Sequence, residues 1–124
     1  MSFCTAISCM DGRVQLPVIR FLQKRFAKAY VDLITEAGPI RILAEQTDRL
    51  KVESIHQRLE ISVKYHSSQN LAVVGHYDCA GNPVGKEEQK IQIKESIRLL
   101  KKQFPQLNII GLWVDENWQV NELK

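Results

Sequence analysis

The sequence predicts an α/β fold: a parallel sheet with helices on both faces and a short antiparallel edge strand at its end. Three observations lead there. Apolar runs over 3–8, 29–35, 70–75 and 107–114 alternate with stretches of helical period, the pattern of strand, crossover and strand joined right-handedly. The third and fourth runs, including Leu71-Ala72-Val73-Val74 and Leu112-Trp113-Val114, are almost continuously apolar, as strands covered on both faces are. A length of 124 residues fits one domain, residues 1–124, with a single buried core.

The first run leads into a loop through Gln15, and Pro17 stands where prolines open helices, so a helix is expected over 17–28. Its Val18, Ile19, Leu22 and Phe26 recur at spacings of three and four opposite Arg20, Gln23, Lys24 and Arg25. The run from Ala29 to Thr35 is rich in β-branched and aromatic residues and stops at Gly38-Pro39. A short helix over 40–46 and a longer one over 52–65 follow, the latter carrying Val52, Ile55, Leu59 and Val63 on one face. After the strand at 70–75 comes a loop from His76 to Gly85, then a helix over 87–103 with Ile93, Ile97, Leu100 and Phe104 on one stripe. Pro105 stops that helix before the strand at 107–114. Asp115-Glu116-Asn117 turns the chain, and Trp118-Gln119-Val120 is expected to return antiparallel.

Composition narrows the function class. The chain is 44% hydrophobic and 25% charged with six glycines and four prolines, which is the balance of a globular domain and not of a disordered one. No run reaches the length of a membrane span, and no basic region with a long apolar core opens the chain, so a cytoplasmic protein is expected. The formal net charge of +3 is mild, and the lysines are interspersed with glutamates and glutamines, the arrangement of a solvated surface and not of a nucleic-acid patch. Three cysteines, an odd count, in a reducing compartment favour metal binding or catalysis over a disulfide framework.

The chemistry gathers where two strands end. Cys9, Asp11 and Arg13 follow the first run, and His76 and Cys79 follow the third, each at a strand's carboxyl end where open α/β sheets hold ligands. Cys9, His76 and Cys79 form a ligand set for a zinc site with three protein ligands and one open position. Two thiolates and a neutral imidazole cancel the charge of the metal, so its bound water is polarised less than in a three-histidine site and needs help with the proton. Asp11 is placed to accept a hydrogen bond from that water, and Arg13 to grip the carboxylate and keep it from turning onto the metal. Gly12 gives the tight loop its freedom. Simpler readings stand beside these: Cys4 as a buried free thiol, His56 and His66 as boundary residues of a helix, and Asp11 with Arg13 as a surface pair.

Cys9-Met10-Asp11-Gly12-Arg13 and Gly75-His76-Tyr77-Asp78-Cys79-Ala80-Gly81 resemble the Cys-x-Asp-x-Arg and Gly-His-x-x-Cys-Gly motifs of the β-class carbonic anhydrases. Thr35-Glu36-Ala37-Gly38-Pro39 lies where that family has Arg-Asn-Ala-Gly-Asn, and Ile110 to Asp115 is similar to its last parallel strand and turn. The resemblance implies a sheet of order 2-1-3-4, zinc on Cys9, His76 and Cys79, a catalytic dyad of Asp11 and Arg13, and reversible hydration of carbon dioxide to bicarbonate. It also implies a homodimer or higher homo-oligomer. Only eight residues precede Cys9, so the family's amino-terminal helical arm is not expected, nor a segment that supplies a substrate-binding glutamine. Glu36, Pro39, Tyr77 and Asp78 depart from the family's loops. Two alternatives keep the fold and change the function: a non-catalytic zinc protein with Asp11 as fourth ligand, and a hydrolase of carbonyl sulfide or carbon disulfide.

Overall fold

The computed structural model describes residues 2–124. In chain order it contains β1 (Phe3–Cys9), α1 (Gly12–Phe26), β2 (Tyr30–Glu36), α2 (Pro39–Glu45), α3 (Arg49–His66), β3 (Asn70–His76), α4 (Lys86–Gln103), β4 (Asn108–Val114) and β5 (Val120–Leu123). The strands form one sheet of order β2-β1-β3-β4-β5, the first four parallel and β5 antiparallel to β4. This is the α/β architecture and strand order expected. Among the described residues no helix is long and apolar enough to cross a membrane.

Side chains alternate across the strands and build two cores. Ile7, Leu71 and Val73 pack with Ile40, Leu43, Ile55, Leu59, Ile93 and Leu100, so α2, α3 and α4 share one face. On the other face Cys4, Ala6, Ala72, Val74, Leu112 and Val114 pack against Val14, Val18 and Leu22 of α1. Leu22, Leu59 and Leu112 are fully buried, and each such side chain contributes about 1.5–3 kcal/mol relative to exposure. The two-sided cover explains why these strands read as continuous apolar runs.

Three boundaries differ from expectation for local reasons. The first helix begins at Gly12, not Pro17, because the Asp11 carboxylate caps it by accepting the Arg13 backbone N–H at 2.9 Å. Pro17 therefore lies inside α1, where its missing N–H leaves the Arg13 carbonyl without its helical donor. The edge strand begins at Val120, not Trp118, because Trp118 takes a left-handed conformation (φ 59°) in the turn. Asp48 caps α3 in the same way, accepting from Lys51 N–H at 3.2 Å, so that helix starts at Arg49 instead of Val52.

The register positions the site. β1 pairs with β2 along its whole length, Phe3 with Tyr30 through Cys9 with Glu36. With β3 it pairs only from Thr5–Leu71 to Ile7–Val73. Beyond Val73 the two central strands part, and their carboxyl ends, Cys9 and His76, flank the gap.

Candidate metal centre

Cys9 closes β1, His76 closes β3, and Cys79 sits in the loop that follows. All three are buried, and one ligand atom from each lies within 4.8 Å of the others. The Cys9 and Cys79 sulfurs are 3.8 Å apart. His76 Nδ1 lies 2.7 Å from the Tyr77 carbonyl, which can only accept, so the proton belongs on Nδ1 and the lone pair on Nε2. Nε2 is buried and, among the described residues, has no hydrogen-bond partner. Buried polar atoms are nearly always satisfied; an unpaired imidazole lone pair beside two thiols fits a cation with tetrahedral preference for sulfur and nitrogen.

The backbone around the thiols is arranged for anions. N–H groups of Gly38 and Asp11 face the Cys9 sulfur, and those of Gly81 and Asn82 face Cys79. The two sulfurs share a hydrogen bond, which with these N–H groups and His76 holds the Cys9 thiol well below the ordinary thiol range despite burial. The same contact, together with burial, pushes Cys79 well above the thiol range. Burial pulls His76 down, but the Cys9 sulfur and the Tyr77 carbonyl outweigh it and raise its pKa.

Two loops cross behind the sulfurs without room for side chains. A Cβ on Gly81 would lie 2.5 Å from the Ala37 carbonyl carbon, and one on Gly38 would lie 2.8 Å from the Gly81 backbone. Gly38 also takes φ 66°, a left-handed value that favours glycine. These contacts tie the β2–α2 loop, which offers the Gly38 N–H to Cys9, to the β3–α4 loop, which offers those of Gly81 and Asn82 to Cys79.

Asp11 and Arg13 stand at the mouth of the site. Arg13 Nε reaches Asp11 Oδ1 at 3.1 Å and Nη2 reaches Oδ2 at 2.7 Å, a bidentate pair. The guanidinium holds the Asp11 carboxyl down at about 2. Asp11 is outside the 4.8 Å ligand cluster. Arg13 also donates to Asp78, Nη1 to Oδ2 at 3.3 Å and Nη2 to the carbonyl at 3.1 Å, and its guanidinium lies 4.5 Å from the centroid of the Trp118 ring.

The residues singled out by sequence thus come together, and those set aside stay apart. Cys4 is buried, its sulfur 3.8 Å from the Tyr30 carbonyl, with its pKa pushed up to about 11 chiefly by burial. His66 pairs with Asp32 at 2.6 Å and stacks on Phe3, while His56 meets Phe104 edge-on. Sequence reasoning missed Gln89. Its side chain accepts from His76 N–H at 3.1 Å and donates to the His76 and Val84 carbonyls at 2.8 and 3.2 Å, serving the end of β3 that β1 no longer reaches. Helical spacing carried the signal: Gln89, Ile93, Ser96 and Leu100 form the buried stripe of α4.

A family model described as "Putative carbonic anhydrase" matches residues 1–124. A search of curated proteins finds no match. Among solved structures, the chain is similar to the β-carbonic anhydrase CcaA, with 13% identity, a TM-score of 0.62, and coverage of 100% of this chain and 81% of that one. The β-carbonic anhydrase CafD of Aspergillus fumigatus aligns with 18% identity and a TM-score of 0.63 over 98% of this chain and 89% of its own. One of two tetrameric β-carbonic anhydrases from Sordaria macrospora aligns with 13% identity and a TM-score of 0.55 over 98% and 80%. At these identities the structural likeness shows the fold, and the family model spans the whole chain: the protein belongs to this carbonic anhydrase family and has the β-carbonic anhydrase fold.

Proposed function

We propose that residues 1–124 act as one domain that binds zinc through Cys9, His76 and Cys79 and interconverts carbon dioxide and bicarbonate, with Asp11 and Arg13 as the catalytic dyad. The observation that carries this reading is the buried, unpaired Nε2 of His76, converging with two thiols within 4.8 Å. Zinc held there supplies Lewis acidity and lowers the pKa of water toward neutrality.

The chain's own residues do the rest. Asp11, held at about 2 by Arg13, is ionised at neutral pH, so its oxygens only accept hydrogen bonds. It therefore favours a nucleophile or product that presents an O–H and disfavours one that presents only lone pairs. Arg13 fixes that carboxylate through Nε and Nη2, and the N-cap bond from its own backbone N–H adds a third tether. The proton leaves through solvent or buffer. Reduced thiols suit a cytoplasmic setting, and the tetrameric relatives from Sordaria macrospora support a homodimer or larger assembly, which sedimentation velocity at micromolar protein tests directly.

The proposal is tested by zinc content and turnover together. Wild-type protein should hold one zinc per chain and hydrate carbon dioxide, and Cys79→Ser should retain far less metal. Undiminished zinc in Cys79→Ser would remove that residue from the site, and turnover of carbonyl sulfide without hydration of carbon dioxide would reassign the substrate.

A further inference from the structure

We propose that Asp78 and Trp118 are positioning residues that seat the Arg13 guanidinium on Asp11 and so hold Asp11 off the metal, making the β4–β5 turn a determinant of how open the centre is to a small anion. This rests on the metal reading above. Five non-glycine residues among those described have positive φ. Three of them, Ala27, Gln46 and Ser67, close helices, where left-handed residues are ordinary. The other two are Asp78 (φ 58°) and Trp118 (φ 59°), and both meet Arg13.

For a bulky residue such a backbone is an outlier, and it persists where surrounding bonds over-determine it. Around Trp118 they do. Its N–H bonds the Asp115 carbonyl at 2.9 Å, and Asp115 Oδ1 accepts from Asn117 and Gln119 N–H at 2.9 and 3.0 Å. Asn121 Nδ2 donates to Asp115 Oδ2 at 3.1 Å. The turn is thus built to present one indole face, and that face lies against a guanidinium from the far end of the chain.

Arg13 needs such a seat. Its side chain is 46% exposed, and an exposed ion pair on a long, mobile side chain is held weakly. Asp11 takes Nε and Nη2, Asp78 takes Nη1 and shares Nη2, and Trp118 covers one face. With face and second carboxylate removed, Arg13 keeps Asp11 and the Asp78 carbonyl but spends more time away from them, and while it is away Asp11 keeps only the backbone N–H of residue 13. A released carboxylate then competes with external anions for the open ligand position.

The test uses cobalt(II)-loaded protein titrated with thiocyanate and followed by visible absorption. Wild type should show thiolate-to-cobalt absorption and a saturable response. Trp118→Leu should weaken apparent thiocyanate affinity about two- to fivefold, the scale of an exposed cation–π contact, while Trp118→Phe keeps most of it. Asp78→Asn, which tolerates the left-handed backbone, should weaken it similarly and carries the test if circular dichroism shows Trp118→Leu unfolded. In an Asp11→Ala background Trp118→Leu should have no effect. Wild-type affinity in both Trp118→Leu and Asp78→Asn would overturn the inference and leave the metal reading standing, as would a Trp118→Leu effect that survives loss of Asp11. Failure of wild type to take up cobalt on thiolates would overturn both.

Discussion

Replacing Gln89 with leucine should loosen the end of the strand that carries His76. The side chain makes three hydrogen bonds there, to His76 N–H, His76 C=O and Val84 C=O, and leucine makes none. Gln89 is 1% exposed, so water cannot replace them without opening the packing. Leaving a buried backbone group unpaired costs about 1–3 kcal/mol. Two such groups on His76 set the loss at about 3 kcal/mol after allowance for leucine's apolar burial. Against a typical domain stability of about 5–15 kcal/mol, that is a large fraction. Urea unfolding followed by far-UV circular dichroism should show a midpoint lower by about 1–3 M, taking a slope of about 1–3 kcal/mol/M. Gln89→Glu separates hydrogen bonding from size. Its carboxylate would face two carbonyls, so its folded pKa would lie above the unfolded value of about 4.3. A raised folded pKa gives stability that is present below the unfolded pKa and lost as pH rises through the folded one, so this variant should recover toward wild type in acid. A Gln89→Leu protein within about 0.5 kcal/mol of wild type would refute the idea that Gln89 replaces the missing β1 partner.

Three further outcomes follow from the same geometry. Arg13→Ala should keep stoichiometric zinc and lose hydration activity; an active variant would sink the dyad. Gly81→Ala places a Cβ 2.5 Å from a backbone carbon of the neighbouring loop, so it should destabilise by about 1–3 kcal/mol and lower metal affinity, read by urea melting and competitive chelation; unchanged values would show that the loops do not cross as closely as described. Metal affinity should fall as pH falls, because the protons on Cys79 and His76, whose pKa values are both raised, must leave before zinc binds. Isothermal titration in buffers of different ionisation heat counts the released protons, and a pH-independent affinity would contradict the ligand set.

Much of this was legible in the sequence, and the failures have definite causes. Continuous apolar runs identify β3 and β4 because helices cover both faces, and the expected order of strands places Cys9 beside His76. Pro17 misleads because proline favours the first helical turn, whereas here the Asp11 cap starts the helix five residues earlier and the proline is carried inside it. The partners of Asp11-x-Arg13 are invisible locally, since Asp78 and Trp118 lie 65 and 105 positions from Arg13. Gln89 sits in the charged run Glu87-Glu88-Gln89-Lys90 and looks solvated until its place on the stripe of Ile93 and Leu100 is noticed.

Stopped-flow hydration of carbon dioxide from neutral to alkaline pH, on protein with verified stoichiometric zinc, bears most directly on what this centre does. Activity that rises with pH and vanishes in Arg13→Ala is the expected result. Absence of hydration across that range, with zinc fully bound, would contradict the account and leave a metal-binding protein of this fold with a different task.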